Sequence, residues 1–219
     1  MTSRSLTAAD LSLPPFGKND VEVFKRETLS QAYARLERVT LRHRTYNGDF
    51  TTPMSRELYD SGDAVTVLPF DPENGLVVLV EQFRMAPFAH GQMPWLVETI
   101  AGRFSKDETP ESAARREARE EAGLELGELI SIGGVYAAPG IFNEYVHLFC
   151  AYVELSDRDN NADNINGLKD EHEDIRVIVV PFDSALKALE SGRICDATTM
   201  ICLQWLSLNL EAMTNRWRA

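Results

Sequence analysis

Apolar and polar residues alternate along residues 21–29 and 33–43, the period-two pattern of strands with one covered face. Asn47-Gly48 follows as a turn dipeptide. Residues 64–70 and 76–83 are richer in Val and Leu, and Asp71-Pro72-Glu73-Asn74-Gly75 separates them, so the pattern predicts a hairpin of buried strands. A further strand is expected over 95–101, stopping at Gly102. The period then changes. Over 109–122, Thr109 can cap a helix, Pro110 suits its first position and Glu111 its positive end. Ala113, Ala114, Ala118 and Ala122 favour the helix, and Gly123 ends it. Strands are expected again over 129–136, 145–153 and 175–180. The polar stretch 156–174 is long for a loop inside a compact domain, and loops of that length are often functional. Pro181 opens a helix over 182–190, and a last helix over 196–214 should lay Ile201, Trp205 and Leu208 on the core. Strands and helices in this irregular order predict an α+β fold rather than a doubly wound sheet. Residues 1–17 are polar, and 1–56 read as an N-terminal antiparallel β appendage to a main domain over 57–219.

Length and composition fit that division: 219 residues, 44% hydrophobic and 26% charged, suffice for one domain with a small appendage and a core that needs no disulfide. The three cysteines, Cys150, Cys195 and Cys202, form no CxxC pair, so a cysteine zinc site is not expected, and Cys195 and Cys202 read as core residues sharing a helical face. His43, His90, His147 and His172 lack metal-ligand spacing. The first residues carry no apolar run of signal-peptide length, and no run is long enough to span a membrane, so a cytoplasmic protein is expected. A net charge of −12 argues against nucleic acid and anionic membranes as partners. A small anionic substrate stays open, because a bound cation and a few arginines can reverse the sign inside one pocket.

Candidate chemistry concentrates between Gly102 and Leu124. Glu117 and Glu121 stand at i, i+4 on the expected helix, with Glu120 beside them. Glu111 with Arg115, and Arg116 with Glu120, are spaced for ordinary helical ion pairs, which suits a solvated face. The like-charged Glu117–Glu121 pair instead costs roughly 0.2–0.5 kcal/mol unless something offsets it, and carboxylate oxygens suit a hard divalent cation such as Mg²⁺ or Mn²⁺. Spacing alone leaves both readings open. Gly102, Glu108, Arg116, Glu117, Ala118, Glu120, Glu121, Gly123 and Leu124 also match, position by position, the signature box that the chain shares with Nudix hydrolases. Seven fixed identities at this spacing should arise by chance in on the order of one in a million chains of this size.

That resemblance implies the Nudix fold, a mixed β-sheet sandwiched between α-helices. It implies that Glu117, Glu121 and Glu120, with the carbonyl of Ala101, bind two or three Mg²⁺ ions, and that Arg116 holds the glutamates in place. Glu108 sits before the helix in a less defined role. Beyond the box, the chain resembles the ADP-ribose pyrophosphatase branch from Phe16-Gly17-Lys18-Asn19-Asp20 to Trp205, including Arg42-His43-Arg44, Leu68-Pro69-Phe70-Asp71-Pro72, Glu81-Gln82-Phe83-Arg84, Pro139 and the run Asp170 to Val177. The branch implies that Arg56 and Arg84 contact the pyrophosphate or terminal ribose, that Tyr33, contributed by the partner subunit, stacks on adenine and that Glu144 lies at the site rim. It also implies Glu171 as general base, ahead of Glu144, and Glu173 as a further metal ligand, although those two loop glutamates could exchange roles. Ala138 stands where relatives often carry serine, and the 156–167 loop is longer than theirs. The reaction implied is hydrolysis of ADP-ribose to AMP and ribose 5-phosphate, with another nucleotide sugar such as GDP-mannose as the alternative substrate. A nucleotide-sugar sensor without activity is less consistent with a complete set of box glutamates. The branch further implies a homodimer that exchanges its N-terminal appendages and shares its active sites.

Overall fold

A computed structural model describes residues 16–105, 107–155, 165–168 and 172–218. The chain forms two compact units. One runs up to Ser61 and takes in Gly140–Asn143, and the other comprises Gly62–Pro139 and the chain from Glu144 onward.

The first unit is an antiparallel sheet in the order β1 (Val21–Gln31), β2 (Arg35–His43), β3 (Met54–Asp60). Register shifts between Val23 and Lys25 and between Thr28 and Ser30 place bulges in β1. The turn expected at Asn47-Gly48 forms, with Gly48 at φ 94° and its N–H on the Thr45 carbonyl. β3 completes a ladder with β2 from Leu41↔Met54 to Arg35↔Asp60, which carries the appendage past the boundary at residue 56 read from the sequence. This sheet has little core of its own. On its three strands only Glu37 and Val39 are buried, while β1 leaves Val21, Val23, Phe24 and Leu29 exposed.

The second unit is built on a sheet whose strands run β10 (Ile165–Asn166), β11 (Ile175–Pro181), β5 (Leu76–Phe83), β4 (Ala64–Asp71), β9 (Tyr145–Tyr152), β8 (Leu129–Tyr136). β4 and β9 are parallel and the other pairs antiparallel, so the sheet is mixed. Both faces are covered, which is why β4 is buried at every position. Val65, Val67, Val78, Val80, Phe149 and Ala151 face the alanine side of helix α2 (Pro110–Ala122). Leu68, Phe70, Val77, Leu79, Leu148 and Cys150 face helices α3 (Phe182–Glu190) and α4 (Ala197–Trp217). A short helix, α1 (Met85–Ala89), follows β5. The α+β sandwich expected from the sequence is therefore the architecture found.

Two local expectations are corrected. Helix α4 buries Thr199, Cys202, Leu203 and Leu206, with Ile201 and Trp205 at the margin, whereas Leu208 is 86% exposed. Apolar residues surround much of this helix, so several faces satisfy the helical period and packing alone selects one. Cys195 is exposed just before α4 rather than sharing its buried face.

The expected strand over 95–101 is two strands. β6 (Trp95–Glu98) pairs with β5, and β7 (Ile100–Arg103) pairs with β4. β4 and β5 bond to one another only at Phe70↔Val77 and Asp71↔Leu76, then diverge. The 95–103 segment fills the wedge and changes partner at Thr99, directly before the residues that meet α2.

Candidate active site

Helix α2 is fixed at both ends by its own sequence. The Thr109 side chain accepts from the Ser112 N–H, the Ser112 hydroxyl reciprocates at the Thr109 N–H, and Gly123 closes the helix at φ 66°. The alanines turn toward the sheet, which places Glu117 and Glu121 at its edge, 8% and 3% exposed. The β7 backbone comes close against them. The Ala101 N–H donates to Glu121 Oε2 at 3.2 Å, and a Cβ on Gly102 would lie 2.0 Å from Glu117 Oε1. Glycine is needed at 102 for that approach.

Arg116 organises the carboxylates. Its Nε donates to Glu108 at 2.9 Å, one terminal nitrogen donates to both Glu117 and Glu120 at 2.8 Å, and the other reaches the Arg103 carbonyl at 3.0 Å. Glu108, unassigned from its spacing, is thus part of the same network, and its hydrogen bond from Arg116 holds it below the usual carboxylate range. The expected Glu111–Arg115 pair is replaced. Arg115 donates to the carbonyls of Leu126 and Gly127, bracing the turn after α2.

One guanidinium does not neutralise this cluster. Burial pushes Glu117 up to about 6 despite Arg116, with Glu120 and Glu173 adding repulsion. Burial pushes Glu121 up to about 8, with Glu117 and Glu173 again repelling, while the Ala101 N–H and Arg84 only partly oppose the shift. Glu173 therefore lies within electrostatic reach of both box glutamates. It is held there by hydrogen bonds. Its carboxylate accepts from the Leu168 N–H at 3.0 Å, and the Gly167 N–H donates to the Glu120 carbonyl at 3.2 Å.

Arg84 follows β5 and donates to Glu98 at 2.8 Å, within the fields of Glu121 and Asp196. Glu98 is 7% exposed, and burial raises its pKa against the pull of Arg84. Sequence reading missed Glu98. Its signal was a carboxylate inside the apolar run Trp95-Leu96-Val97, which calls for a buried partner. Glu144 lies part-buried immediately before β9. Tyr33 and Arg56 belong to the first unit, Tyr33 exposed between β1 and β2 and Arg56 exposed on β3 with a bond to the Ser55 carbonyl. Glu171 lies outside the described residues. Among the described residues, no three His, Cys, Asp or Glu side chains stand close enough together, as placed, to hold a metal ion between them.

Comparison with known proteins agrees with this geometry. The NUDIX domain model matches residues 60–197. The ADP-ribose pyrophosphatase of Escherichia coli (strain K12) is 41% identical over 202 residues, covering 92% of this chain and 95% of that protein. The ADP-ribose pyrophosphatase of Haemophilus influenzae is 35% identical, covering 93% of each. The GDP-mannose pyrophosphatase of Citrobacter koseri is 36% identical over 187 residues, covering 85% of this chain and 94% of that protein. A crystal structure of an ADP compounds hydrolase superposes with a TM-score of 0.68 at 19% identity, over 89% of this chain and 96% of that one, a likeness of fold. A complete box folded into one cluster, a family model over most of the chain and relatives matched nearly end to end give one conclusion: the chain belongs to the Nudix family, in the branch of its ADP-ribose pyrophosphatases.

Proposed function

We propose that this protein hydrolyses the pyrophosphate of ADP-ribose to AMP and ribose 5-phosphate. The observation that carries the reading is the nearly full-length match to ADP-ribose pyrophosphatases, at 41% identity over 92% of the chain, by an enzyme-type box that keeps all its glutamates. The GDP-mannose pyrophosphatase match is lower in identity and coverage, which makes GDP-mannose the second substrate to test.

The residues fit a divalent cation. Every ligand atom offered at the cluster is an oxygen, and of the two buried carboxylates only Glu117 is bonded to Arg116, so negative charge is left over for a hard cation to offset. Glu117, Glu121 and Glu120, with the Ala101 carbonyl and Glu173, would hold it. Mg²⁺ keeps several waters and takes further oxygens from substrate phosphates, so it needs few protein carboxylates. Two or three Mg²⁺ ions, or Mn²⁺ in their place, would supply positive charge to the pyrophosphate and acidify the attacking water.

The chain's own groups do the rest. Arg116 keeps Glu117 and Glu120 aimed, and Gly102 lets the backbone approach Glu117. Arg84, oriented by Glu98, and Arg56 bind pyrophosphate oxygens, a task suited to planar guanidinium groups. Tyr33, contributed across the dimer by the other subunit, stacks on adenine, and Glu144 borders the site. Glu171 takes the proton from the attacking water. The water oxygen bonds to the adenosyl phosphorus, the bond to the bridging oxygen breaks, and ribose 5-phosphate leaves with that oxygen.

The protein acts as a cytoplasmic homodimer in this reading. Apolar side chains left exposed on β1, and the exposed Phe83, Met85, Phe88 and Trp95 of the second unit, support a partner surface. No helix among the described residues is long and apolar enough to cross a membrane. Steady-state kinetics on ADP-ribose and GDP-mannose test the substrate. A kcat/KM at least tenfold higher for ADP-ribose is expected, and preference for GDP-mannose would move the protein to the other branch.

A further inference from the structure

Four threonine and aspartate side chains outside the signature box form a buried hydrogen-bonded chain that ends on the peptide facing Glu121. Thr66 on β4, Thr99 at the break between β6 and β7, and Thr199 on α4 are all at most 1% exposed. Thr66 Oγ1 lies 2.6 Å from Thr99 Oγ1 and donates to the Ile100 carbonyl at 3.1 Å. The Thr99 N–H donates to Thr199 Oγ1 at 2.9 Å, and Thr199 Oγ1 donates to Asp196 Oδ2 at 2.8 Å. Residues separated by 33 and 100 positions meet here, in the wedge where β4 and β5 part and the 95–103 segment changes ladder partner.

The protons can be assigned. Each hydroxyl donates once. Thr66 spends its proton on the Ile100 carbonyl, so the 2.6 Å contact requires Thr99 to donate to Thr66. Thr199 spends its proton on Asp196, a carboxylate that only accepts. The 3.2 Å contact between the Thr99 and Thr199 oxygens then has no proton left and follows from the N–H bond beside it. The chain thus has one direction on its sheet side: Thr99 hydroxyl to Thr66 hydroxyl to Ile100 carbonyl.

The Ile100 carbonyl and the Ala101 N–H belong to one planar peptide unit and point opposite ways. The carbonyl end is held by Thr66, and the N–H end donates to Glu121. Rotating this peptide would break both bonds together. We propose that Thr66, backed by Thr99, is a positioning residue: it sets the Ile100–Ala101 peptide plane so that its N–H orients the Glu121 carboxylate for the divalent cation. Asp196 and Thr199 anchor the other end by holding the Thr99 N–H from the α4 terminus. Hydrogen bonds in series polarise one another, which sharpens the Ala101 N–H as a donor. The inference rests on the cation reading above, and it adds a set of residues lying on the α4 side of the sheet.

The test is Mn²⁺ binding followed by electron paramagnetic resonance on the whole protein without substrate, alongside thermal melting in chelator. Thr66→Val keeps shape and branching but removes the hydroxyl. It should weaken Mn²⁺ binding about tenfold or more, the range for loss of a group that orients a ligand. Thr66→Ser, which restores the donor, should bind within about twofold of the unmodified protein. Ile194→Val, a cavity in the core beside α3 and α4, should lower the melting temperature without changing Mn²⁺ affinity. Equal Mn²⁺ affinity in Thr66→Val and the unmodified protein, or failure of Thr66→Ser to restore it, would overturn the proposal. Failure of the unmodified protein itself to bind Mn²⁺ would overturn the cation reading beneath it, a result distinct from either.

Discussion

Removing the charge of Glu121 should stabilise the metal-free protein while disabling it. Glu121 is 3% exposed and its carboxyl is pushed up to about 8 from an ordinary 4.5. A folded-state pKa above the unfolded one means that the folded chain holds a proton which the unfolded chain releases. The corresponding stability is fully present below about 4.5 and is lost as pH rises through about 8. At 1.36 kcal/mol per unit, the buried charge costs the folded state on the order of 5 kcal/mol at pH 9. Glu121→Gln keeps a carbonyl oxygen for the Ala101 N–H and cannot ionise. Urea unfolding in chelator should show the two proteins nearly equal at pH 5, with the variant several kcal/mol more stable at pH 9. Saturating Mg²⁺ should narrow or reverse that gap, because an ion bound only by the folded state stabilises the protein that binds it. A gap that stays flat from pH 5 to pH 9, or an unmodified protein more stable than the variant at pH 9 in chelator, would refute the reasoning.

Three further outcomes are expected. Gly102→Ala places a Cβ 2.0 Å from Glu117 Oε1, so the carboxylate must move and kcat/KM for ADP-ribose should fall roughly 10–100-fold, measured beside a melting curve that changes little. Arg116→Lys retains the charge but cannot serve Glu108, Glu117, Glu120 and the Arg103 carbonyl at once, and urea unfolding should show a loss of about 2 kcal/mol together with weaker activity. Arg84→Ala leaves Glu98 buried without its guanidinium, so it should raise KM and also destabilise the fold by about 2 kcal/mol, whereas Arg84→Ala combined with Glu98→Gln should recover stability but not KM.

What the sequence made legible follows the range of the interactions involved. Helix α2 could be read to the residue because its cap, first-position proline, alanine face and terminal glycine are all local, and the box glutamates ride on that helix. The longer strands of the mixed sheet were legible from runs of Val and Leu; the break at Thr99 and the two-residue β10, inside the stretch read as a loop, were not. That break arises from a change of pairing partner, from Gln82↔Leu96 on β5 to Thr66↔Ala101 on β4, and no local pattern encodes such a switch. Glu98 and the threonine chain were invisible for the same reason, since their partners lie 14, 33 and 100 residues away. The buried face of α4 was misread because much of that helix is apolar, so tertiary packing chose among faces that periodicity could not rank.

The central claim is that this chain cuts the pyrophosphate of ADP-ribose by adding water at the adenosyl phosphorus. Mass spectrometry of products formed from ADP-ribose and Mg²⁺ in ¹⁸O-labelled water tests it most directly. The account predicts AMP carrying one ¹⁸O and unlabelled ribose 5-phosphate, with neither formed in chelator. Recovery of intact ADP-ribose, or label in ribose 5-phosphate instead of AMP, would contradict it.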